Sequence, residues 1–226
     1  MKKVFIGAST NPPKEKNLIE YIKKVDNLVD FVHCDYMDGK FTELPCLSSE
    51  LVKKINECSS AKLDVHIMAN NPQNIVGDFA KSGANLITVH YEAFKNNSQI
   101  KKCLNKIKKL GCLCGLAINP ETSVSNIKDF LPLLDVVLVM SVVPGKSGQK
   151  FEEKSVYKVK TLSQIRFKYN YNYFIEVDGG INNQNSAILI NNGADILVSG
   201  SYLFNSKNIN LDILKLKSNL PILNVE

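Results

Sequence analysis

Short apolar, β-branched segments alternate with amphipathic helical segments along this chain, and that rhythm limits its possible folds more than any other feature. The strand-like segments run Val4 to Ser9, Phe31 to Gly39, Lys62 to Met68, Leu86 to His90, Leu113 to Ile118, Val136 to Met140, Phe174 to Asp178 and Ile196 to Gly200. Between them the helical period predicts a helix carried by Leu18, Ile19, Ile22 and Val25. A second is capped by Ser48 or Ser49, with Leu51, Val52 and Ile55 on its inner face. Further helices are expected from Pro72 to near Gly83, from Ser98 to Leu110 before Gly111, over Val124 to Leu133, and from Glu153 to Tyr169. One more closes at Gly193, and a last one spans Leu211 to Lys217. About eight strand–helix units is the count of a closed (β/α)8, or TIM, barrel. An open doubly wound sheet is the competing arrangement, but no GxGxxG motif follows the first strand. No composition shift or long linker interrupts the alternation, so residues 1–226 are expected to form a single (β/α)8 barrel domain.

Composition narrows the function classes. No apolar run reaches the roughly 18 residues of a membrane span, and the apolar part of the N-terminus is too short for a signal peptide. A cytoplasmic protein with no membrane partner is expected. The net charge of +6 comes from lysines such as Lys101, Lys102, Lys106, Lys108 and Lys109, which fall on helix faces rather than in a basic and aromatic motif. Nucleic acid is therefore not the expected partner, while the charge leaves an anionic small substrate open. The six cysteines lack paired CxxC spacing, which argues against a zinc knuckle or a disulfide framework.

In a barrel, reactive groups gather at the C-terminal ends of the strands. His33 and Asp35 end the second strand, His66 the third, His90 the fourth and Asp178 the seventh. Period-2 geometry points His33 and Asp35 to one side. Two imidazoles and two carboxylates suit a divalent ion of the Zn, Fe, Mn or Co kind better than Mg or Ca, so His33, Asp35, His66 and Asp178 form the expected metal set. His90, on the fourth strand away from the others, is expected to lie on the rim or behind the ligands. Two carboxylates facing each other can also remove a proton from one side of a carbon and return one to the other. Asp35 and Asp178 are the expected catalytic pair.

Three glycine-bearing loops, Pro144 to Gly148, Asp178 to Gly180 and Ser199 to Ser201, follow consecutive strands. Backbone N–H groups in such loops bind phosphate well, and barrel phosphate sites recur after the last two strands.

The stretches VHCDYMDG, LDVHIM, ANLITVHYEA, GLAINPET, VLVMSVVPGKSGQKF, IEVDGGIN and GADILVSGSYLF together resemble the ribulose-phosphate 3-epimerase family, over nearly the whole chain and in the family's order. The resemblance implies a metal-dependent isomerase that inverts carbon 3 of a ketose phosphate through an enediolate, most simply D-ribulose 5-phosphate to D-xylulose 5-phosphate. It implies one divalent metal on His33, Asp35, His66 and Asp178, with Asp35 and Asp178 as the acid/base pair. It further implies substrate contacts from Ser9, His66, Met37, Met68 and Met140, and a phosphate site at Gly148, Gly179, Gly180, Gly200 and Ser201. A homo-oligomer is also implied. Three loops depart from the family pattern: Gly7 to Pro13, Lys40 to Pro45, and Lys146-Ser147 where the family usually has Phe-Gly. These departures leave D-allulose 6-phosphate as a substitute substrate, or a sugar-phosphate-binding barrel without catalysis, as the alternatives.

Overall fold

The computed structural model describes residues 3–11, 15–43, 45–146 and 148–218. Its strands are β1 (Phe5–Ser9), β2 (Phe31–Asp38), β3 (Pro45–Cys46), β4 (Lys62–Met68), β5 (Leu86–His90), β6 (Leu113–Ile118), β7 (Val136–Met140), β8 (Phe174–Asp178) and β9 (Ile196–Ser199). Apart from β3, a short antiparallel addition to the end of β2, the neighbours pair in parallel in the order β1-β9-β8-β7-β6-β5-β4-β2. The β1–β2 pairing closes the ring. The result is the eight-stranded TIM barrel anticipated from the alternation.

The helices are α1 (Glu15–Val25), α2 (Ser49–Cys58), α3 (Val76–Lys81), α4 (Asn97–Lys109), α5 (Lys154–Tyr169), α6 (Ser186–Asn192), α7 (Ser201–Phe204) and α8 (Ile209–Lys217). Helix α4 shows why they form. Asn96 caps it by accepting from the Gln99 N–H, and Ile100, Cys103, Leu104 and Ile107 recur at helical spacing on the buried face. Burying Leu104 and Ile107 contributes about 2–3 kcal/mol each. The lysines of this segment lie on its other faces, and Gly111 ends it at φ +83°. No helix among the described residues is long and apolar enough to cross a membrane.

One expected helix is absent. Val124 to Leu133 forms two separate 3₁₀ turns, Val124–Ile127 and Leu131–Leu133. Pro132 has no N–H to give and its ring would collide with the Lys128 carbonyl of a continuous helix, so the segment closes i to i−3 bonds instead. The segment after β4 is also divided, with a 3₁₀ turn, Pro72–Asn74, opened by Pro72 ahead of α3.

Every residue of β7 is buried, as expected of a strand covered by helices outside and packed side chains within. Toward the C-terminal ends, however, the barrel interior is polar. His33, Asp64, His66, Thr88, His90 and Glu176 are all fully buried.

Candidate active site

The strand register assembles the site. Pairing of β2 with β4 sets Asp35 beside His66 and His33 beside Asp64, while pairing of β7 with β8 sets Asp178 beside Met140. One nitrogen or oxygen atom from each of His33, Asp35, His66 and Asp178 lies within 4.8 Å of the others. His33 Nε2 is 3.4 Å, and His66 Nδ1 3.2 Å, from Asp35 Oδ1. The second Asp35 oxygen accepts from the Ser9 hydroxyl at 2.7 Å, and the Asp35 N–H donates to Thr10 Oγ1. Both oxygens of Asp35 are thus held in place.

The far nitrogen of each imidazole is occupied. His33 Nδ1 meets Asp64 Oδ2 at 2.5 Å, leaving Nε2 buried and, among the described residues, without a hydrogen bond. His66 Nε2 meets His90 Nε2 at 2.8 Å. Of the two places expected for His90, the structure shows the one behind the ligands and not the rim: it is fully buried and stacked on His66, because β5 pairs directly with β4 and ends at the same height. An orphaned imidazole nitrogen facing a second imidazole and two carboxylates is a donor set that fits a divalent transition ion.

Electrostatics separate the carboxylates. Burial opposes charge on Asp35, but the charge of His33 and the closeness of both imidazoles outweigh it and hold its pKa far below the usual range. Burial, then the charge of Asp35, pushes Asp178 up to about 7. Burial also disfavours charge on His33, yet Asp64 and Asp35 hold its pKa well above the usual value. Burial lowers that of His66.

Two buried carboxylates outside the expected set lie beside it. Asp64 and Glu176 form a second cluster with His33 below the first, and burial, followed by the charge of Asp64, raises Glu176 well above an ordinary carboxylate. Asp64 stands two residues before His66, and Glu176 two before Asp178. The period-2 rule that paired His33 with Asp35 would have placed both on the inner face.

The mouth above is lined by Ser9, Asp35, Met68, Met140, Gly148, Asp178, Gly179, Gly180, Gly200 and Ser201, with Asn11 and Lys146 also on its wall. Met37 is not on that wall; it pairs with Cys46 across β2 and β3, and its sulfur lies near Gly145. Gly179 adopts φ +115°, and a Cβ there would stand 2.6 Å from Val142 Cγ2. A Cβ on Gly180 would stand 2.9 Å from the Gln149 carbonyl oxygen. Only glycine lets these two loops close to this distance.

Two of the departing loops touch. Asp38 ties the Lys40 and Phe41 N–H groups back to β2, Phe41 lies 4.9 Å from the His90 ring, and Lys146 pairs with Glu43 at 2.7 Å. Pro12, Pro13, Leu44 and Ser147 of the altered loops lie outside the described residues.

Buried acids and imidazoles converging at the C-terminal mouth of a closed (β/α)8 barrel define an enzyme of the barrel class, with its reacting groups at the strand ends. The match to the ribulose-phosphate 3 epimerase family covers residues 5–204, and the chain belongs to that family of isomerases. It is 41% identical over 189 residues to the ribulose-phosphate 3-epimerase of Aquifex aeolicus, covering 84% of each chain. It is 36% identical to the chloroplastic ribulose-5-phosphate-3-epimerase of Arabidopsis thaliana, covering 90% of this chain and 73% of that one. Among solved structures, a 3-hexulose-6-phosphate synthase superposes with a TM-score of 0.73 at 12% identity, over 96% of this chain and 100% of the other. KGPDC from Streptococcus mutans gives 0.71, at 14% identity over 96% of each chain. At these identities the two structures share the fold alone.

Proposed function

We propose that the protein inverts carbon 3 of a ketose phosphate, interconverting D-ribulose 5-phosphate and D-xylulose 5-phosphate. The observation that carries this reading is the convergence of Asp35 and Asp178, from strands on different sides of the barrel, beneath one glycine-rimmed mouth. One carboxylate takes the proton from carbon 3, and the other delivers a proton to the opposite face of the planar enediolate. Ser9 fixes the Asp35 carboxylate by its hydrogen bond, so the base meets the carbon in a set orientation. Met68 and Met140 wall the intermediate with polarizable groups that neither donate nor accept protons strongly. Gly148, Gly179, Gly180, Gly200 and Ser201 offer backbone on the rim for the phosphate. His33, Asp35, His66 and Asp178 would hold a divalent transition metal (Zn, Fe, Mn or Co), whose charge would stabilise the enediolate oxygens.

Incubating the metal-loaded protein with D-ribulose 5-phosphate in D₂O tests the proposal. Deuterium enters carbon 3 as D-xylulose 5-phosphate forms, and Asp35→Asn and Asp178→Asn each abolish epimerisation. Turnover by both variants would exclude this acid/base pair. Faster turnover of D-allulose 6-phosphate would move the substrate to the hexulose class, to which the altered loops give a structural basis.

A further inference from the structure

We propose that His90 and Glu92 are positioning residues that set the tautomer of His66, leaving its Nδ1 lone pair facing Asp35 and the metal position. This rests on the metal reading above and extends it to the buried network behind His66.

The hydrogen-bond geometry assigns each proton. His66 Nε2 and His90 Nε2 are 2.8 Å apart, so one hydrogen lies between them and one ring must accept. His90 Nδ1 lies 3.2 Å from Glu92 Oε2. The other Glu92 oxygen accepts from the Asn119 backbone N–H at 2.8 Å and from the Thr122 hydroxyl. A backbone N–H can only donate, so Glu92 Oε1 is held as an acceptor; burial opposes charge on Glu92, but its hydrogen bonds outweigh it and keep the carboxyl below its ordinary range, so Oε2 accepts as well and His90 Nδ1 carries the hydrogen that reaches it. The His90 ring is fully buried between Phe41 and His66, where a neutral imidazole is the cheaper state. A neutral ring carries one N–H, so His90 Nε2 is bare and accepts from His66 Nε2–H. His66 Nδ1 is then bare as well, 3.2 Å from Asp35 Oδ1. A lone pair and a carboxylate oxygen at that distance repel unless a cation lies near both, which is the arrangement of a metal ligand set.

The far end of the relay is anchored. Lys158 of α5 donates to the carbonyl oxygens of Asn119 at 2.7 Å and Pro120 at 2.8 Å, fixing the loop that presents the Asn119 N–H to Glu92. This anchor makes Glu92→Gln informative. The Asn119 N–H still requires an acceptor, so the glutamine keeps its carbonyl oxygen there and turns its NH₂ toward His90 Nδ1. His90 then carries its hydrogen on Nε2, His66 accepts it, and the His66 hydrogen moves to Nδ1. The substitution is nearly isosteric, yet it covers the lone pair that a metal needs.

The chain has three histidines, so long-range ¹H–¹⁵N NMR of the full-length, metal-free protein resolves each ring. The proposal expects wild-type His66 as the Nε2–H tautomer and His90 as the Nδ1–H tautomer, with both switched in Glu92→Gln. Cobalt(II) titration should show roughly 10–100-fold weaker binding in Glu92→Gln. In a His90→Phe background, where no proton relay exists, Glu92→Gln should add no further loss. An Nδ1–H His66 in the wild type overturns the proposal without any variant. Unchanged tautomers or unchanged cobalt affinity in Glu92→Gln overturn it too. Expected tautomers in a wild type that binds no cobalt would support the relay and refute the metal reading instead.

Discussion

Replacing Gly115 by alanine tests how tightly the barrel interior is built. Gly115 of β6 is the register partner of Thr88 in β5, and both lie among buried strands. A Cβ on Gly115 would stand 2.2 Å from Thr88 Oγ1, 3.0 Å from its Cβ and 3.1 Å from its Cγ2. Thr88 is β-branched and stiff at χ1, and its own Cβ stands 3.0 Å away in any rotamer, so rotation alone does not clear the space and the two strands must part. Overpacking costs about 1–3 kcal/mol, and an obstacle that cannot step aside belongs at the upper end, near about 3 kcal/mol. At about 2–4 °C per kcal/mol for a chain of this size, Gly115→Ala should lower the melting temperature by roughly 6–12 °C. Thr88 Oγ1 has no hydrogen-bond partner among the described residues, so Thr88→Ala sacrifices little bonding while removing Oγ1 and Cγ2, two of the three crowding atoms. Thermal melts by circular dichroism on the single and double variants decide the matter. The double variant should recover most of the loss. A Gly115→Ala protein melting within about 2 °C of wild type, or a double variant whose two losses simply add, would refute the steric account.

Other perturbations probe the caps, the metal position and the mouth. Ser48→Ala removes the acceptor for the Leu51 N–H at the start of α2 and should cost about 1 kcal/mol, read as a lower melting temperature at unchanged kcat. Chelation should lower the melting temperature of the wild type, and added metal should restore it, whereas His33→Ala should melt at the same temperature with or without metal. Asp195 accepts from both Arg166 and the Ile175 N–H, so Asp195→Ala should destabilise by about 3 kcal/mol in urea unfolding. The Lys146–Glu43 pair is largely exposed and screened by solvent, so it adds little to stability. Lys146→Ala should therefore leave the melting temperature unchanged while raising KM, because Lys146 lies on the cavity wall.

Much of the fold was legible because each strand carries a local signal. Val136 to Met140 reads as a buried strand from its own composition, and Ser48 announces its helix three residues ahead of the N–H it caps. Val124 to Leu133 shows the limit: its apolar spacing suits a helix, and a single proline at position 132 outweighs that spacing. His90 shows another. Nothing in LITVH tells which way its final ring turns, so its stacking on His66 and its link through Glu92 to the loop at Asn119 were not anticipated. Asp64 and Glu176 were legible in principle, since each shares a strand face with a residue already singled out.

The sequence by itself determined the alternation of strands and helices, hence the barrel, and the alternating faces that turn His33 and Asp35 the same way. These follow from periods of 2 and 3.6 residues, which are properties of the local backbone. Tertiary structure alone decided which groups meet. Asp35 and Asp178 are brought together by closure of the ring through β1, and Asp64 reaches His33 through the β2–β4 register. Register and closure are settled by hydrogen bonds between strands far apart along the chain, which no local pattern specifies.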